Sequence, residues 1–169
     1  MTDDLASLFA FNRWANAKML DACRKLTPEQ YIAEPVPGCP SVRFTIWHIS
    51  VVTERWLRGL ASDPDNSFPT EAELATVDEA QHLLERAYRR FDDLLPAFTP
   101  ERLATPVTLR GRTRLWTSPP WAVLRHIVNH TSYHRGQVAS KLKRFGIQQP
   151  ETDFMYWVIE QIPQIQGQP

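Results

Sequence analysis

Four stretches of this chain repeat their apolar residues at intervals of three and four, and no other feature of the sequence limits the fold as strongly. Between Asp4 and Leu26 the residues Leu5, Leu8, Phe9, Trp14, Met19, Leu20, Cys23 and Leu26 recur, with Arg13, Lys18, Asp21 and Arg24 between them. That period puts the apolar side chains on one face of an α-helix, which then needs a partner surface. Thr27-Pro28 closes this run, and the segment EPVPGCP (34–40) excludes helix through its prolines and glycine. A second run starts at Ser41 as N-cap and continues through Leu60. A third opens with the capping box Thr76/Glu79 and carries Ala80, Leu83, Leu84, Ala87, Phe91, Leu94 and Leu95 as far as Pro96. The fourth, from Trp121 to Phe145, follows Ser118-Pro119-Pro120, aligns Leu124, Val128, Thr131, Val138, Leu142 and Phe145, and stops at Gly146.

Four amphipathic helices of this length predict an all-α protein built as a four-helix bundle. The segments between them are read in the same way. Residues 61–75 are polar and contain two prolines, a connection long enough to be a crossover or the lip of a pocket. Residues 105–116 change period around a glycine, so Val107, Leu109, Leu115 and Trp116 predict a small hairpin before the last long helix. Phe154–Ile159 predicts a short C-terminal helix, and residues 161–169 a flexible tail beyond one domain spanning 1–160.

Composition narrows the function classes. With 43% hydrophobic and 22% charged residues in 169, collagen-like, disordered and disulfide-framework proteins are excluded. Nineteen Lys plus Arg balance nineteen Asp plus Glu, so the chain has no general attraction to nucleic acid or anionic lipid. Arg110, Arg112, Arg114 and Arg125 are read as solvated charges around the hairpin rather than a nucleic-acid surface. Cys23 and Cys39 are too few for a metal ribbon, and Cys39 reads as a half-buried loop cysteine. The N-terminus is acidic and lacks an apolar leader, and no run approaches the ~20 apolar residues of a membrane span. A cytoplasmic protein acting on a small molecule is the expectation. Six tryptophans and eight phenylalanines, with Phe11 and Trp14 on the exposed side of the first helix, predict a homodimer.

The chemistry is concentrated in histidine. His126, His130 and His134 follow one another at spacings of four on the fourth helix, and each step of four turns the side chain by only ~40° while rising ~6 Å. Neighbours on such a row can share one metal ion. Gln137 and Val123 continue the lane, which would be costly inside a bundle unless something pairs with it. His48, on the second helix, supplies a further imidazole, whereas His82 lies among Glu79, Gln81, Glu85 and Arg86 and reads as a surface residue. Imidazole donors without thiolate suit zinc or nickel first, with iron or copper acceptable, and a set of three leaves a position for water or substrate.

The segment His126-Ile-Val-Asn-His130-Thr-Ser-Tyr-His134-Arg-Gly-Gln137 resembles the C-terminal signature of the DinB/YfiT superfamily of metalloenzymes. Asn12-Arg-Trp14-Ala-Asn16, the helix leading from Ser41 to His48, and Thr152-Asp153-Phe154 resemble that family in the same order. The resemblance implies an up-down-down-up four-helix bundle, frequent homodimers, and one divalent metal ion held by His48, His130 and His134. It makes His126 and Gln137 supporting or pocket-lining residues. Many relatives carry an acid five positions after the first ligand; here that position is Thr53, with Glu54 next, so the part played by Glu54 is left open. The resemblance further implies a metal-dependent transferase with a low-molecular-weight thiol as cosubstrate. A metal-dependent hydrolase of a small amide or ester, and a non-catalytic metal- or ligand-binding stress protein, stay open beside it.

Overall fold

The computed structural model describes residues 2–111 and 113–161, so Arg112 and the expected tail beyond Gln161 lie outside the described residues. Its long helices are α1 (Thr2–Cys23), α3 (Val42–Leu60), α4 (Val77–Leu94) and α6 (Pro120–Arg144). Short elements link and cover them: α2 (Pro28–Ile32), α5 (Pro100–Ala104), strands β1 (Val107–Arg110) and β2 (Leu115–Ser118), and α7 (Phe154–Gln161). The four-helix bundle and its small antiparallel hairpin are as the periodicity predicts.

The local reasons are visible at the helix ends. Ser41 Oγ accepts from the Phe44 amide at 2.9 Å, and Thr76 and Glu79 close the predicted capping box at the start of α4. Gly146 takes a left-handed φ of 74° just beyond α6, a conformation that stops a helix at little cost only for glycine. The first helix ends at Cys23 rather than Leu26. Thr27 does not merely close it but caps the separate helix α2 through a capping box with Gln30, and Thr99 caps α5 by accepting from the Arg102 amide. Neither short helix has enough residues to show a period in the sequence.

Cross-helix pairs give the direction of each helix. Asp4 meets Arg125 and Asn16 meets Arg135, so α1 and α6 run in parallel. Thr45 meets Lys141 and His48 meets His130, so α3 opposes α6; Arg13 meets Asp92 and Arg24 meets Asp78, so α4 opposes α1. Ser50 and Glu54 meet Ala80 and Arg90 in that order, so α3 and α4 run the same way. This is up-down-down-up, and the parallel α3/α4 pair is what requires the long connection 61–75.

The core is apolar along the predicted stripes: Leu5, Met19, Ile46, Ile49, Leu57, Leu83, Leu84, Leu124 and Leu142 are each 2% exposed or less. Within it runs a polar layer. Tyr88 OH accepts from Asn12 Nδ2 at 3.4 Å and from Asn16 Nδ2 at 2.5 Å, while Arg135 Nη1 donates to the Oδ1 atoms of the same two asparagines at 2.7 and 3.1 Å. Thr131 Oγ1 adds a bond to Asn12 Oδ1. Burial lowers Arg135 to about 10 and raises Tyr88 to about 12, so the guanidinium stays charged and the phenol neutral near pH 7.

One expectation is corrected. Phe11 is not on an exposed face but is 6% accessible, covered edge-on by Phe154 and Trp157 of α7 at 5.1 and 6.2 Å between ring centroids. Glu160 pins α7 in place by accepting from Trp14 Nε1 and Lys18 Nζ at 2.7 and 2.6 Å. The C-terminal helix therefore hides the residue that the periodicity of α1 left outside, and it leaves its own Phe154, Met155, Tyr156 and Ile159 exposed.

Tyr88→Phe removes the acceptor shared by two buried amides. It is expected to cost about 2 kcal/mol of unfolding free energy in urea titrations with helix content unchanged, because an unmet buried donor costs about 1–3 kcal/mol. A cost near zero would show that the layer is not a stability determinant.

Candidate metal centre

The site lies where α3 faces α6. The N-cap at Ser41 sets the phase of α3, and Lys141 Nζ, itself buried, donates to Ser41 O and Thr45 Oγ1 to tie the start of α3 to the far end of α6. His48 stands seven residues beyond Ser41, and His134 seven before Lys141, so this clasp lies two turns from each imidazole.

His48, His130 and His134 converge, with one ligand atom from each lying within 4.8 Å of the others. Their ring centroids are 4.4 to 4.9 Å apart, and His48 Nε2 is 3.1 Å from His130 Nε2. Two imidazoles on one tetrahedral divalent ion have their nitrogens about 3.3 Å apart, given ~2.0–2.1 Å bonds, so the observed pair fits such an ion with little movement. Among the described residues no thiolate or carboxylate completes the group.

Protonation also suits a ligand role. Burial, followed by the neighbouring imidazoles His134, His48 and His126, lowers His130 to about 3, so its ring is neutral at physiological pH. His134 Nδ1 lies 2.8 Å from Gln137 Oε1, an acceptor-only atom, which puts the proton on Nδ1 and leaves the Nε2 lone pair for the site. His130 Nδ1 is buried without a hydrogen-bond partner among the described residues.

His126 occupies the outer end of the lane. It is exposed, 5.6 Å from the His130 ring and edge-on to Trp56 at 5.7 Å, and it borders the adjoining cavities rather than joining the convergent set. His82 is exposed on α4, away from the site. Cys39 is half-buried in the turn before α3 and is not among the convergent groups. Glu54 is only 1% exposed; it accepts from Arg58 Nε at 2.7 Å and Arg90 Nη2 at 3.3 Å, joining α3 to α4. That ion-pair role answers the question the sequence left open.

The residues that the sequence did not single out are the walls. Trp47, Val51, Val52, Arg55, Trp56, Gly111 and Trp116 line a cavity of about 240 Å³ that reaches His48. Trp56 stands eight residues after His48, a spacing within one broad helix face that the sequence itself displays, whereas the direction of Trp116 is set by strand pairing. The 61–75 connection is anchored to α3 where Trp47 Nε1 donates to Pro69 O at 2.7 Å, but it contributes no residue to the cavity lining among those described.

With that geometry in place, comparison with known proteins is decisive about kinship. The sequence profile of the DinB family matches residues 1–164. The chain belongs to the DinB family. It is 24% identical to Protein DinB of Bacillus subtilis over 162 residues, covering 91% of this chain and 93% of that one. A crystal structure of a DinB-like protein from Bacillus cereus superposes with a TM-score of 0.65 at 23% identity, over 88% of this chain and 95% of that one. The four-helix bundle protein TT2238 gives 0.60 at 18%, over 83% and 99%. At these identities the structural likeness bears on the fold alone.

The lowered value at His130 has a consequence for stability. The unfolded chain takes up a proton near 6.5 that the folded ring resists until about 3, so protonation favours unfolding throughout that interval. Metal-free protein in chelator should lose melting temperature as pH falls from 6.5 toward 3, and His130→Gln should show a shallower loss. Equal slopes for the two proteins would contradict the burial of that imidazole.

Proposed function

We propose that this DinB-family protein is a divalent-metal-dependent enzyme that joins a small electrophilic molecule to a low-molecular-weight thiol. The observation that carries the reading is the convergence of three imidazoles, with no fourth protein donor among the described residues, beside a cavity whose lining includes one of them, His48. Structural zinc is usually closed by four protein ligands, so a set of three favours a centre that admits a reactant.

His48, His130 and His134 would hold the ion, zinc or nickel before iron or copper. When bound, such an ion keeps a coordinated thiol or water deprotonated at neutral pH. The chain's own part is positional. Gln137 fixes the His134 tautomer, burial keeps His130 neutral, and the Lys141 clasp holds α3 and α6 in register. In the reaction the thiol proton passes to solvent and the sulfur lone pair forms the new carbon–sulfur bond. The leaving group departs from the electrophile with its bonding pair. The reading retains a homodimer, now supported by exposed Met155 and Tyr156 on α7 rather than by Phe11.

Tag-free protein reconstituted with zinc or nickel should hold about one ion per chain and accelerate conjugation of 1-chloro-2,4-dinitrobenzene with one of a panel of cellular thiols. Ester or amide turnover without thiol would replace the transferase by a hydrolase, and stoichiometric metal without turnover would leave a binding protein. Substoichiometric metal after reconstitution would remove the proposal.

The ligand roles have a separate test. Alanine at His48, His130 or His134 should abolish most metal binding, alanine at His126 or Gln137 should weaken it about 10-fold, and His82→Ala should leave it unchanged. Complete loss on changing His126 would reassign the set.

A further inference from the structure

The cavity beside the histidines has a lining that metal binding does not explain. Trp47, Val51, Val52 and Trp56 of α3 face Trp116 of β2, and a second cavity of about 320 Å³ continues past Trp56, Trp116 and His126 to Ala122 and Val123 of α6. The indoles of Trp56 and Trp116 meet nearly at right angles, 69° between planes and 6.5 Å between centroids, and His126 stands at 82° to Trp56. Walls set at right angles offer a flat guest one ring face to stack on and another ring edge to abut. Volumes of this size lie at the small end of ligand pockets.

The hairpin is shaped to keep Trp116 in that position. A Cβ at residue 111 would lie 2.5 Å from Trp116 Nε1, so glycine there lets the indole fold across the turn. Trp116 nevertheless remains 42% exposed, a large apolar ring held at a cavity mouth with one face available to a ligand. The other face carries the Arg114 guanidinium, 3.8 Å from the ring centroid.

Charge narrows the guest further. Arg55 is in the lining, its guanidinium 4.5 Å from the Phe68 ring centroid, and no carboxylate is among the described lining residues. Aromatic walls alone would welcome a cation, but two guanidiniums nearby oppose one.

We infer that this cavity binds the flat aromatic body of the substrate, neutral or anionic but not cationic, and that Trp116 is a specificity-determining residue. The inference rests on the reading that the histidines form the reacting end, and it specifies the class of molecule presented to them.

Calorimetric titration of the metal-free full chain with three probes sharing one ring system tests it: 2-naphthalenemethanol, 2-naphthoate and 2-naphthylmethylammonium. The alcohol and the carboxylate should bind, and the ammonium at least about tenfold more weakly. Trp116→Ala should weaken the alcohol by about tenfold or more through loss of a stacking wall. Val52→Trp, which fills the cavity from a helix and spares the hairpin, should do the same, and a melting curve on each variant checks its folding. Equal or tighter binding of the ammonium, or undiminished binding in a folded variant, would overturn the inference. Zinc content measured on the same preparations separates the two readings. Probe binding without zinc uptake defeats the metal-dependent function alone, and zinc uptake without probe binding defeats the aromatic site alone.

Discussion

A single helix, α6, has to be buried on two sides while carrying polar side chains toward both, and the rest of the molecule is arranged around that difficulty. Toward α1 it presents Thr131 and Arg135; toward α3 it presents His130, His134 and Lys141. Each would be expensive to desolvate without a partner. The partners come from separate helices at matched heights: Asn12 and Asn16 on one side, Ser41, Thr45 and His48 on the other. An apolar seam alone tolerates sliding, since one leucine contact resembles the next. Polar pairs do not, so they fix the register in which the imidazoles meet.

This division explains how far the sequence could be read. Positions whose neighbours lie on the same helix were legible: the stripes, the caps at Ser41 and Thr76, the stop at Gly146 and the histidine row. Those set by a neighbour on another element were not. Asn12 and Asn16 appeared as parts of a family signature, but their service to Arg135 needs α1 laid beside α6 in parallel. Phe11 looked exposed because the period of α1 says nothing about α7. Glu54 could be placed only when Arg90 arrived from α4. Family likeness named the three imidazoles, and the wall opposite them came from a hairpin whose side-chain directions depend on pairing.

Arginines of the frame and of the cavity edge also separate by environment. Arg135 is an interior cation held by amide and hydroxyl oxygens, with Phe11 beneath its guanidinium at 5.3 Å, and it serves the frame. Arg55 and Arg114 lie on aromatic rings at the edge of the cavity and serve its electrostatic character. Zero net charge for the chain as a whole thus coexists with two guanidiniums beside a cavity whose described lining residues include no carboxylate.

His48 and His130 touch across 82 residues of chain. During synthesis the first of them leaves the ribosome long before the second exists, and the two cannot meet until α6 has emerged and the loop between them has closed. The row on α6, by contrast, is local and present as soon as that helix forms. An unfolded or half-made chain can therefore offer a metal ion the α6 pair but not the complete set. Full affinity for an ion at the three imidazoles would then be a property of the finished bundle, and metal retained through purification would be a chemical record that the chain had completed its fold.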